Sequence, residues 1–162
     1  IMEHKVKENS RRKHIEVCFV RNLETLHEDD LRLVLRDKIA PMSEVDVEGL
    51  SQVRVAHSDD TLAVMFDIAV SEERSVGFAF SVRGASADVE VGCDDHIYIK
   101  GVDTTAVEYF SRYDDGRRWY VIVVGLRRAG LDSGARAVEM DITLPHTAEQ
   151  EAPMLRLTAD LV

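Results

Sequence analysis

Trp119-Tyr120-Val121-Ile122-Val123-Val124 is the stretch on which the fold turns. Its four β-branched and two aromatic residues favour a strand, because such side chains pack well on a pleated surface. Helical spacing reads the same residues differently. Trp119, Ile122, Val123 and Leu126 share one helical face, and Gly130 stands where a helix C-cap belongs. Downstream, Ala135 to Leu144 alternates apolar and polar residues, again a strand pattern by the local rule. Pro145 and Pro153 argue against one uninterrupted helix across the C-terminus. The last third therefore reads two ways on its own residues.

Upstream the signals are firmer. Ile15 to Val20 is a short β-prone run. In Leu26 to Ile39 acids open the segment and bases close it, as the helix dipole favours. Leu31, Val34, Leu35 and Ile39 fall on one face at helical spacing, and Pro41 ends the helix. Residues 44–102 read as antiparallel sheet. Val45 and Val47 alternate with acids, and Val53 and Val55 with more polar neighbours. Ser58-Asp59-Asp60 makes a turn, after which Leu62, Val64, Phe66 and Ile68 share a face. Ser75 to Val82, Ala87 to Gly92 and His96 to Val102 follow as strands, with Asp94-Asp95 turning the chain between the last two. Five or six strands in succession imply an up-and-down sheet. The organisation expected is a basic tail at 1–14 and one acidic domain at 15–162.

The totals narrow the function. Thirty acidic residues against 20 basic ones set the formal charge at −10 in a chain of 162. Such a surface repels phosphate backbones at long range and attracts basic proteins, so direct high-affinity nucleic-acid binding is not expected. The longest apolar run, Trp119 to Val124, is far short of the roughly 20 residues a membrane helix needs. Two cysteines, Cys18 and Cys93, make no disulfide framework and read as free thiols. Cys18 to Leu23 and Ser75 to Phe80 imitate the two aromatic strand motifs of an RNA-recognition domain. The interval between them holds too many strands for that fold, and the charge is wrong for it.

Catalytic signatures are missing from the sequence. No His-x-x-x-His pair, nucleophile elbow or glycine-rich phosphate loop occurs. Cys93-Asp94-Asp95-His96 reads as a solvated turn in preference to a metal site. No metal, no cofactor and no enzyme activity are expected. Paired carboxylates do recur, and those on exposed turns stay ionised. Asp59, Asp60, Glu72, Glu73, Asp94, Asp95, Asp114 and Asp115 are the expected partner-facing acidic rim.

Taken in order, several segments resemble the mitochondrial acidic matrix protein family, the mitochondrial glycoprotein family that includes the mammalian complement-q-subcomponent-binding protein. The likeness spans roughly residues 28–162. It runs through the helix at Asp30 to Ile39, Glu44 to Gly49, Val53-Arg54-Val55, Leu62 to Ile68, Val76 to Val82 and His96 to Val102. Its sharpest local match is Leu126-Arg127-Arg128-Ala129-Gly130-Leu131-Asp132, with Ala129 where arginine is usual; Glu149-Gln150-Glu151 resembles the terminal helix. The resemblance implies an α+β fold: a strongly twisted antiparallel sheet of about seven strands flanked by one N-terminal and two C-terminal helices, which makes 115–129 and 133–161 helical. It further implies a homotrimer in the mitochondrial matrix. The role implied is a chaperone-like adaptor for basic partners, RNA-binding or ribosomal proteins among them, in mitochondrial RNA processing, translation and respiration. The rival expectation is a β-sandwich ligand- or carbohydrate-binding module. It requires strands throughout the last third and offers Trp119 and Tyr120 for stacking on a sugar.

Overall fold

The computed structural model describes residues 11–69, 77–94, 96–131, 136–145 and 153–162. These form ten strands and one α-helix: β1 (Arg12–Phe19), α1 (Glu28–Lys38), β2 (Leu50–His57), β3 (Thr61–Ala69), β4 (Phe78–Arg83), β5 (Asp88–Cys93), β6 (Ile97–Lys100), β7 (Val107–Asp114), β8 (Arg117–Gly125), β9 (Ala137–Thr143) and β10 (Met154–Leu161). Short 3-10 turns sit at Leu23–Thr25 and Thr104–Ala106.

The strands lie in the order β6-β5-β4-β9-β10-β1-β2-β3-β8-β7. β1 is the fold line. Its residues 12–17 run parallel to β10, while Cys18 and Phe19 pair, also parallel, with β2. The other seven pairings are antiparallel. Bent about β1, the ten strands become two facing layers that nearly close on themselves, and β6 and β7 are left as free edges. Alternation fills the space between the layers. Leu62, Val64, Phe66, Ile68, Tyr120, Ile122 and Val124 come from one layer, and Phe78, Phe80, Val82, Met140, Ile142 and Leu157 from the other, in one buried cluster.

A second, smaller core explains the helix. Leu31, Leu35 and Ile39 of the α1 face pack with Leu23 on Ala56, Ala63, Met65 and Val121, the outward side of the β2-β3-β8 layer. That is why β3 is buried on both faces from Thr61 to Ile68 without alternation. α1 begins with Glu28, Asp29 and Asp30 and ends with Arg36 and Lys38, as its charge order predicts. Arg54, itself buried, donates from Nε to the Ile39 carbonyl at the end of the helix, 2.9 Å away.

The expected α+β architecture is therefore corrected. The sheet has ten strands instead of about seven, and one α-helix is present among the described residues where three were expected. Within 115–129 lies β8, and within 133–161 lie β9 and β10. Leu126-Arg127-Arg128-Ala129-Gly130 is a single tight turn and not a helix end. Ala129 N–H donates to Gly125, Gly130 to Arg127 and Leu131 to Leu126, with Gly130 at φ +73°. A left-handed glycine closes one isolated turn as readily as a long helix, so the same residues carry both readings. Glu149-Gln150-Glu151 lies outside the described residues. Arg12, Lys13 and His14, expected in a basic tail, belong to β1.

Candidate functional site

Strand register sorts the expected acidic rim. Thr61 faces Gly125 and Val124 faces Val107, so the 58–60 turn, the 126–131 turn and the start of β7 share one end of the sandwich. The 84–87 turn meets that end too, through Ser86 Oγ and the Gly130 carbonyl at 3.5 Å. The turns after β5 and β7 are at the opposite end. Asp59 and Asp60 are thus separated by the length of the sandwich from Asp94, Asp114 and Asp115. Glu72, Glu73 and Asp95 lie outside the described residues. Several of the remaining acids have local duties. Asp94 Oδ1 accepts from the His96 N–H, and Asp60 Oδ1 accepts from the Arg127 N–H at 2.9 Å. Asp115 (φ +48°) and Gly116 (φ +79°) form the left-handed pair that a tight two-residue hairpin needs. Among the described residues no group of three metal-binding side chains comes together.

Among the described residues, a ledge on β7 and a cavity beside α1 are open to solvent. The first lies on β7, which among the described strands pairs on one side only. Tyr109, Ser111 and Tyr113 stand opposite Ile122, Tyr120 and Arg118, so the three share the inward face of their layer. At the free edge that face is open. Tyr109 is 42% exposed and Tyr113 53%, and the Arg118 guanidinium lies 5.9 Å from the Tyr113 ring centre. Four residues of strand set the two rings roughly 14 Å apart along β7. On the other free edge, Tyr98 is not free in this way. Its ring lies over Gly92, where an added Cβ would come within 2.2 Å of it, and Lys100 Nζ sits 4.8 Å from its centre. Burial first, then a hydrogen bond to Glu90, pushes the Tyr98 hydroxyl up to about 12.

The aromatic pair offered by the sequence, Trp119 and Tyr120, is not this platform. Tyr120 is 3% exposed, packs 4.5 Å from Phe78 and 5.7 Å from Phe66, and burial pushes its hydroxyl up to about 12. Trp119 points to the opposite face and packs against the helix-side core. Tyr109 and Tyr113 were legible only once 107–114 was taken as a strand, for then tyrosines four apart must share a face.

The second place is a cavity of about 260 Å³ at the 58–60 end, between the turn at Leu23–Thr25, α1 and the outward side of the sheet. Leu23, Leu26, Leu31, Ala106 and Val123 make its apolar floor, and Glu24, Asp60, Thr61, Thr105, Glu108 and Arg128 its polar wall. Asp60 alone of the expected rim takes part. Glu24 Oε2 accepts from Ser58 Oγ at 2.6 Å, and this bond holds the Glu24 carboxyl below its ordinary range. A lowered carboxyl contributes stability above the carboxylate range and loses it as pH falls through the lowered value. Ser58→Ala is expected to raise the Glu24 titration toward the ordinary range, leaving only the smaller lowering from its own backbone hydrogen bond; carboxyl carbon shifts followed by NMR against pH check this.

The architecture is that of a two-layer β-sandwich. No family model and no curated protein matches the chain. Solved structures do. A carbohydrate binding module family 9 (CBM9) from Caldicellulosiruptor kristjanssonii in complex with cellotriose superposes with a TM-score of 0.61 at 6% identity, covering 93% of this chain and 95% of that one. The same kind of module from that organism in complex with glucose has the same TM-score and identity, with 93% and 97% covered. Across so low an identity the likeness is one of fold.

Proposed function

We propose that this chain is a non-catalytic carbohydrate-binding module that holds an oligosaccharide along the β7 ledge. The observation that carries the reading is the pair of half-exposed tyrosines on one face of a free edge strand, with Ser111 between them and Arg118 beside them. Tyrosine offers a flat apolar ring to the C–H face of a sugar and a hydroxyl to its rim. Ser111 and Arg118 supply further hydrogen-bonding groups for hydroxyls. The nearly full-length likeness to sandwiches solved in complex with cellotriose and with glucose supports the same class of ligand. A platform about 14 Å long exceeds one sugar ring, so a trisaccharide should bind better than a monosaccharide.

Calorimetric titration with cellotriose and glucose tests it. Cellotriose is expected to bind, glucose more weakly. Tyr109→Ala and Tyr113→Ala should each weaken cellotriose about tenfold, or ~1.4 kcal/mol. Both substitutions lie on an exposed edge and leave the core intact, so the thermal transition should barely move. Unchanged binding in the double variant would exclude the ledge.

A second reading keeps one observation in its favour, the charge of −10: an acidic scaffold for basic proteins, trimeric and mitochondrial as the family resemblance implies. It asks for salt-sensitive capture of a basic protein, indifferent to the two tyrosines, by a particle three times the chain's mass.

A further inference from the structure

We propose that β7 is an interface between two copies of this chain, paired antiparallel edge to edge about a two-fold axis at Phe110. A free strand edge presents a row of backbone donors and acceptors to any other strand, and edges are ordinarily protected by shortness, proline or lysine. β6 is protected in this way, with four residues ending at Lys100. β7 has eight residues, with no proline, glycine or lysine, and among the described strands it pairs only with β8. From Glu108 to Asp114 every residue except Phe110 is exposed. Which backbone groups face outward follows from one hydrogen bond. The Leu126 N–H donates to the Asp60 carbonyl at 2.8 Å, one step beyond the facing pair Thr61 and Gly125. Bonded and unbonded pairs alternate along an antiparallel ladder. Even-numbered residues of β8 therefore turn their backbone to β3, and odd-numbered ones turn it to β7. Val123, Val121 and Trp119 face Glu108, Phe110 and Arg112, so these three are bonded to β8. Val107, Tyr109, Ser111 and Tyr113 are left with their N–H and C=O groups at the open edge.

A two-fold contact sets these edge-facing residues against one another, residue i meeting j and j meeting i. The axis must then pass through a residue, and charge selects which one. Centred on Ser111, Glu108 meets the partner's Asp114, acid against acid. Centred on Phe110, Glu108 meets the partner's Arg112, and Arg112 meets the partner's Glu108. Both contacts are unbonded pairs, in which opposing side chains come closest. Arg112 already lies 3.7 Å from Asp29 of its own chain, and its five donors leave room for a second carboxylate. Phe110 then packs on the partner's Phe110 at the centre. The opposite face of the strand, with Tyr109, Ser111 and Tyr113, stays open, so the pairing does not depend on sugar binding. One strand pairing is smaller than a standard interface of about 1,600 Å², and a weak dimer, with Kd on the order of 100 μM, is expected.

Sedimentation equilibrium of the whole chain up to about 1 mM tests the interface, at about 0.15 M salt to screen the repulsion between two chains of −10 each. A monomer–dimer equilibrium is expected. Ser111→Pro removes one edge N–H without touching the β8 ladder, and proline is tolerated where a strand's N–H faces solvent. It should weaken the dimer at least tenfold and barely move the thermal transition. Glu108→Arg and Arg112→Glu should each self-associate about tenfold less. Mixed in equal amounts they should associate again, because every arginine then meets a glutamate. Four results would each overturn the proposal: a monomer at every concentration; a trimer; a dimer indifferent to Ser111→Pro; or a mixture of the two charge variants that associates no better than either alone.

Discussion

Phe66→Ala is expected to destabilise the protein by about 4 kcal/mol, within the usual range for truncating a fully buried phenylalanine. Phe66 has no exposed surface and lies at the centre of β3. Its ring meets Phe78 edge-on at 5.6 Å, across the gap between the layers, and Tyr120 at 5.7 Å on the neighbouring strand. These three rings are the main bridge of aromatic contact between the two layers. Removing Phe66 forfeits its transfer free energy, leaves a cavity and strips about 1 kcal/mol of ring–ring contact from Phe78 and Tyr120, which still meet each other at 4.5 Å. Domains of this size are stable by roughly 5–15 kcal/mol, so the loss is a large share. Urea unfolding checks it: the midpoint should fall sharply with the slope retained. Phe66→Leu should cost far less, since it keeps most of the volume. A loss under 1 kcal/mol in the alanine variant would mean the layers do not interlock at this point.

The same residues show how far the sequence could be read. Leu62, Val64, Phe66 and Ile68 share the face that alternation assigns them; of the four helix residues that spacing puts on one face, Leu31, Leu35 and Ile39 are buried and Val34 only partly so. Local propensity also placed Trp119 to Val124 and Ala135 to Leu144 in strands, where β8 and β9 lie. An ordered series of weak likenesses points to helices there, and the local strand signal is the one the fold obeys. Leu126 to Gly130 carries a helix-stop signature because a single turn ends by the same left-handed glycine. What alternation cannot convey is the neighbour of each strand. The parallel pairing of β1 with β10 joins residues 144 apart in sequence, Arg12 with Arg156 for example, and that of β1 with β2 joins Cys18 with Ala56. Nothing local specifies them. The acidic rim failed to gather for a related reason. Turn residues are recognised one hairpin at a time, but the end of the sandwich at which a turn lies depends on the direction of its strand within the whole sheet.

Asp67→Ala is expected to cost about 3 kcal/mol, through charge and not volume. Asp67 is 1% exposed, pairs with Arg117 at 2.7 Å and accepts a short hydrogen bond from Ser51 Oγ. Arg117 in turn donates to Ser51 Oγ at 2.8 Å and to the Gly49 carbonyl at 3.4 Å. The cluster ties the start of β2 to β8 across β3, beside the bulge where Gln52 takes φ +55°. Taking away one member of a buried pair strands the other and costs about 3–5 kcal/mol. The lower end applies here, because Arg117 is 34% exposed and water can take up part of its charge. Asp67→Asn keeps an acceptor for Ser51 and Arg117, so its loss should be smaller. Replacing both partners by apolar residues of similar size, Asp67→Leu with Arg117→Met, should cost less than Asp67→Ala alone, because no charge is then left without its partner. Denaturation of Asp67→Ala, Asp67→Asn, the single changes Asp67→Leu and Arg117→Met, and the double replacement decides the matter. If the double replacement proves as costly as the sum of its two single changes, the pair acts as two independent packing residues and the electrostatic account of this corner of the sheet is wrong.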